Sequence, residues 1–270
     1  MRCTEYGCAT GKPVVYFHGV PGAPNEAAVL DEFAQQQGLR VLCFERFAVA
    51  ADLDGDAYYR QLAAAIDEKV AGASVDFIGF SIGTHVALET ACRLPGRVKN
   101  IHLVAAVAPL EHGNFLDAMA GKAVFTLAQR QPWLFKLLAR WQAFLAPRFA
   151  PTLRHLLFAS AQGQDKELAG QQPFQQFIEG VLAESFSSGV NGYCRDIQLF
   201  LAPWSPAVFS SETSVHLWHG SDDNWSPIGM ADSLATTLPG ASGVHRSAGL
   251  SHYSCLYDAA PKICRELAAG

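Results

Sequence analysis

Residues 75–85 constrain this chain more than any other stretch. Residues 75–78 form a short, mostly apolar run, Gly79-Phe80-Ser81-Ile82-Gly83 follows at once, and residues 84–91 carry an apolar face at helical spacing. A bare G-x-S-x-G is only a glycine-rich turn. Set between a strand and a helix, it describes a serine held at a strained backbone angle, with its hydroxyl aimed out over the edge of a sheet. The glycines two residues to either side remove side chains that would collide there.

The rest of the chain supplies the sheet that such a turn needs. Residues 13–17 are continuously apolar, as in a strand buried on both faces, and run into His18-Gly19-Val20-Pro21-Gly22. Residues 25–37 read as helix, 39–44 as strand and 56–70 as helix, and the 101–107 strand is stopped by Pro109. The alternation predicts a parallel sheet with helices on both faces. Over residues 110–211 no comparable β-run occurs, and Phe, Trp and Leu recur at helical spacing. In 132–145 the residues Trp133, Leu134, Leu137, Leu138, Trp141, Phe144 and Leu145 share one side and Lys136 and Arg140 the other. Strands resume at 215–218 and 243–246, a helix covers 228–238, and a last helix covers 259–269. The expected organisation is a core made of residues 1–109 and 212–270, with a helical cap over 110–211.

Composition narrows the function classes. At 270 residues, 50% hydrophobic and 17% charged, the chain can bury one large α/β core. A net charge of -5 with scattered Lys and Arg gives no basic surface for nucleic acid. Seven cysteines with no C-x-x-C pair suit reduced thiols better than a disulfide framework, and the amino-terminal residues lack the apolar core of a signal peptide. No run is long enough to span a membrane. These features predict a soluble, cytoplasmic protein. No histidine pairs with cysteines or carboxylates at metal-ligand spacing, so no metal or other cofactor is expected.

A serine hydroxyl is a weak nucleophile, so it needs a base within reach and a third group to orient that base. His252 follows the last short strand, and Asp223 follows the strand that ends at Trp218. HGVPG after the first strand, GFSIG at the turn, HGSDDNWSP after the penultimate strand and GLSHY near the end stand in one order. With these four motifs the chain resembles the α/β-hydrolase fold superfamily, specifically the capped serine esterase and lipase-like type, over nearly its whole length. The resemblance implies a mostly parallel twisted sheet with a helical cap insertion and a Ser81, Asp223, His252 triad. It also implies an oxyanion hole formed by the backbone N–H groups of Val20 and Ile82, each such donor being worth about 2.7 to 4 kcal/mol. Two stretches depart from the family pattern. Many relatives have Asp-x-Arg-Gly-x-Gly where this chain has Glu45-Arg46-Phe47-Ala48-Val49-Ala50, and Gly-His where it has Gly-Leu-Ser-His.

Plainer readings stand beside these. Asp222 is an alternative acid, and Glu111 is a late candidate from the earlier strand. His18 and His219 each precede a glycine and would brace loops; His85 reads as packed, His102, His216 and His245 as strand residues, and His112 and His155 as cap residues. Phe80, Trp204 and Trp225 are candidates to line an acyl pocket or simply to fill core. The Trp133–Trp141 stripe reads first as a cap helix packing on the main domain, with a membrane-surface or homodimer face as the alternative. The expected activity is hydrolysis of a small-to-medium apolar carboxylic ester through an acyl-enzyme. Other reactions of the superfamily (C–C bond hydrolase, thioesterase, lactonase, amidase, cofactor-free haloperoxidase) are alternatives, as is a catalytically silent small-ligand binder.

Overall fold

The computed structural model describes residues 1–205 and 213–270. The apolar runs form the centre of a seven-stranded sheet. β2 (Lys12–Phe17), β3 (Leu39–Phe44), β4 (Val75–Phe80) and β5 (Val98–Val104) are joined by α1 (Asp31–Gln37), α2 (Gly55–Lys69) and α3 (Gly83–Ala91). After the long helical segment come β6 (Ser214–Gly220), α10 (Ile228–Thr237), β7 (Ala241–Ser247) and α11 (His252–Ala269). With β1 (Cys3–Gly7) at one edge, the strand order is β1-β3-β2-β4-β5-β6-β7. All pairings are parallel except β1 with β3. Every residue of β4 is buried. Successive side chains of a strand point to opposite faces, so the centre of the sheet is covered on both sides.

Several boundaries differ from the sequence reading, each for a physical reason. β1 was not foreseen because it is an edge strand: Thr4 and Glu5 are exposed, and Glu5 pairs with Arg40 and Lys69. β5 ends at Val104, not at residue 107, because Ala105 turns to φ 48° and breaks the ladder. The last helix starts at His252, seven residues earlier than expected. The Ser251 N–H, donating to the Ser254 hydroxyl at 2.8 Å, opens it, and it continues through Pro261. The seven cysteines are free thiols.

Between β5 and β6 the described residues hold α4 (Lys122–Arg130), α5 (Pro132–Leu145), α6 (Ala150–Phe158), α7 (Asp165–Leu168), α8 (Gln172–Ser185) and α9 (Asn191–Leu201). The boundary expected at 211/212 lies outside the described residues. The Glu45–Ala50 stretch that departs from the family pattern is an anchor for this segment. Arg46 is buried there, its Nε donating to Asp196 of α9 at 2.7 Å, while Arg195 donates to the Arg46 and Val49 carbonyls.

One expectation is overturned. α5 packs inward through Phe135 and Ala139, with Ala146 just past its end; all three are fully buried, while Trp133, Leu137, Trp141 and Phe144 face solvent. Phe135 fills the interior and Ala139 on the same side lets the helix lie close to its neighbours, so that side is buried and the large apolar row is left outside.

Candidate active site

Ser81 has φ 55°, in the left-handed region that a residue with a side chain seldom adopts. The surrounding contacts hold it there. Its N–H donates to the Val104 carbonyl at 3.0 Å, and its carbonyl accepts from the Thr84 N–H at 2.9 Å and the Thr84 hydroxyl at 2.6 Å. Gly83 lies against the Phe17 and His18 carbonyls so closely that a Cβ there would overlap them. The β4–α3 turn can thus sit tightly on the end of β2 only with glycine at that position.

Ser81, Val20 and Ile82 border one cavity of about 370 Å³. Its remaining wall comes largely from the helical segment, including Phe125, Leu138, Leu153 and Leu157. Ile82 stands at the N-terminus of α3, where backbone N–H groups lack helical partners. Val20 belongs to the loop after β2. That loop is held by Glu26, whose buried carboxylate accepts from the Gly19 N–H at 2.7 Å, the Tyr16 hydroxyl at 3.0 Å and the Tyr253 hydroxyl at 3.3 Å. Burial pushes the Glu26 carboxyl up to about 7, against the pull of the Gly19 amide and the Tyr16 hydroxyl.

His252 is buried beside the turn. Its ring lies 4.8 Å from that of Phe80, the residue before Ser81, and stacks on Trp225 at 5.1 Å. Its Nδ1–H donates to Asp223 Oδ2 at 2.8 Å. The other carboxylate oxygen of Asp223 accepts from the Trp225 and Ser226 amides at 2.8 and 3.0 Å. Asp223 is buried and Asp222 is exposed, bonded to Ser221; Glu111 is exposed as well. Of the candidate carboxylates, Asp223 is therefore the one that meets the imidazole.

Electrostatics separate this histidine from the other buried ones. Burial disfavours a charged His252, but the Asp223 charge and hydrogen bond outweigh it and hold the imidazole above the usual histidine value. Burial raises the cost of ionising Asp223, and the charge and hydrogen bond of His252 more than offset it, so the carboxyl stays low. Burial drives His85 and His102 down to about 3 and lowers His18 and His219. His18 Nδ1 lies 2.9 Å from the Gly19 carbonyl, and His219 Nε2 lies 2.7 Å from the Ser226 carbonyl, as loop braces would.

The three aromatic pocket candidates divide. Trp225 lines the cavity. Phe80 is buried between His252 and Tyr253 instead, and Trp204 packs against His85, ring centroids 4.3 Å apart. Three supporting residues were given no role by the sequence reading. Ser226 Oγ lies 2.8 Å from the Ala105 carbonyl and 3.2 Å from Asp223 Oδ2. Asp165 of α7 accepts from the Tyr253 and Ser254 amides at 3.0 and 2.7 Å, which caps α11 where His252 begins it. Glu26 is the third. Each is a common residue type with at least one partner distant in sequence, Ala105 for Ser226 and Tyr253 for Asp165 and Glu26. Among the described residues no group of His, Cys, Asp and Glu is arranged to hold a metal.

Comparison with protein families matches residues 12–259 to the alpha/beta hydrolase fold. Among solved structures the chain is similar to an alpha/beta hydrolase fold protein from Nakamurella multipartita (19% identity, TM-score 0.66, covering 99% of this chain and 93% of that one). It is also similar to an esterase from Exiguobacterium antarcticum (16%, 0.63, 99% and 93%) and a bromoperoxidase from Bacillus anthracis (16%, 0.63, 98% and 92%). No curated protein matches in sequence.

Proposed function

Since the chain belongs to the alpha/beta hydrolase fold family, we propose that it is a serine hydrolase of small-to-medium apolar carboxylic esters. Ser81 attacks the carbonyl carbon, His252 takes the hydroxyl proton and returns it to the leaving alcohol, and Asp223 orients the imidazole and offsets its transient charge. The backbone N–H groups of Val20 and Ile82 receive the developing oxyanion. Water, activated by the same histidine, then releases the acyl-enzyme. Residues 110–211 act as a cap whose helices wall the acyl pocket.

The observation that carries this reading is the left-handed Ser81 at the floor of an apolar cavity, with a buried histidine–aspartate pair packed against the residue before it. Leu138, Leu153, Leu157 and Phe125 in the wall favour an acyl chain over a charged group. The test compares wild type with Ser81→Ala on p-nitrophenyl acetate, butyrate and hexanoate, with labelling by a fluorophosphonate alongside. The expected result is loss of at least about 10³-fold in kcat and loss of labelling in the variant. Equal turnover by both proteins would remove Ser81 from the mechanism. No turnover of any acyl substrate and no label would favour a ligand-binding role.

A further inference from the structure

Apart from Trp141, the outward side of α5 takes no part in the cavity described above. Trp133, Leu137, Trp141 and Phe144 are 71, 54, 51 and 57% exposed, spaced by four, four and three residues along one helix. Phe149 and Leu156, at 51 and 55%, extend the patch onto the next helix. Large apolar side chains clustered in this way mark a surface that meets something.

Charge indicates what that is. Between residues 118 and 164 lie six of the chain's 20 Lys and Arg and none of its 25 Asp and Glu: Lys122, Arg130, Lys136, Arg140, Arg148 and Arg154. Lys122 and Arg154 pair with Asp117 and Glu179. Arg140 is exposed and four residues from both Lys136 and Phe144, so it stands beside the apolar row. The chain as a whole carries -5, so this segment, with no acidic residue of its own, leaves positive charge unopposed beside the exposed apolar residues. A helix with Trp, Leu and Phe on one side flanked by Lys and Arg matches a surface that is apolar beneath and anionic above. A second copy of this chain would bring the same positive charges together.

The patch is also continuous with the cavity. Exposed Trp141 and Leu156 line the same cavity that Ser81 borders. We infer that α5 and the exposed side of α6 dock the protein on an anionic lipid surface, with the cavity mouth toward the bilayer. Acyl substrates dissolved in the lipid then enter without crossing water. No helix among the described residues is long and apolar enough to cross a membrane, so the association is peripheral. The substrate part of this inference rests on the hydrolase reading; the docking part does not.

The experiment is flotation of the full chain with vesicles of phosphatidylcholine alone, or with about one-third phosphatidylglycerol, at low and high salt. The proteins are wild type, Ser81→Ala, and the triple variant Trp133→Ser, Leu137→Ser, Phe144→Ser, whose sites are exposed and outside the cavity lining. Wild type and Ser81→Ala should float with the anionic vesicles, salt should weaken binding, and the triple variant should partition at least about tenfold less. The triple variant should keep wild-type kcat on soluble p-nitrophenyl acetate, which separates lost docking from lost folding. Absence of wild-type binding, equal binding by the triple variant, or equal binding to neutral vesicles would each overturn the docking. So would a stable dimer, by sedimentation velocity, that the triple substitution dissociates. Vesicle binding without hydrolysis of any ester would retire the hydrolase reading and leave the docking intact.

Discussion

His252 and Asp223 carry the pH dependence of the proposed reaction. The base must be neutral to take a proton, and Asp223 holds the imidazole above the ordinary histidine value. The acidic limb of kcat/KM should therefore fall above about pH 6.5. Asp223→Asn removes the charge and leaves the burial, so the limb moves to lower pH while kcat drops by roughly 10³ to 10⁴-fold. A pH profile of both proteins checks this; an unmoved limb would assign the titration elsewhere. Glu26 offers a stability test of the opposite kind. Its carboxyl is raised in the folded state to about 7, so its contribution to stability is present below about pH 4.3 and lost as pH rises through about 7. Glu26→Gln cannot ionise. Relative to wild type it should gain on the order of 2–3 kcal/mol between pH 5 and pH 8 in urea midpoints.

At the level of elements, the sequence showed where most strands and helices lie because periodicity is local. Residues 39–44 were read to their ends, and β4 and α3 to within two residues. The start of α11 escaped because Pro261 resembles a first-turn proline and its capping serines sit in what reads as a loop. That helix depends on a long-range cap. Asp165, 88 positions from Tyr253, satisfies two of its first N–H groups. Asp165→Ala leaves both buried donors unmet, which should cost about 1–3 kcal/mol. It should also reduce kcat/KM, because His252 is the first residue of the helix. A thermal melt and an ester assay on the same preparation check both; full activity at reduced Tm would show that the cap stabilises without positioning.

For the whole molecule, the cavity is shared property: Ser81, Val20 and Ile82 come from the sheet side, and Leu138, Leu153 and Leu157 from the helical segment. Leu157→Trp fills part of the segment's share. It should reduce kcat/KM for hexanoate esters by about tenfold or more while acetate turnover changes little, because only the longer chain needs that space. Uniform loss across chain lengths would place the acyl group elsewhere.

The chain's linear order determined the strand–serine–helix turn, the parallel sheet and the order of serine, aspartate and histidine, since each follows from short-range spacing and turn chemistry. Folding in three dimensions decided which of two adjacent aspartates meets the imidazole and which aromatic faces the cavity. It also decided which side of α5 is buried. Those outcomes depend on burial and on partners tens to hundreds of residues away. A helix with apolar residues around most of its circumference does not state which side its neighbours will take. Here the Phe135–Ala139 side was taken into the interior, and the tryptophans were left facing outward.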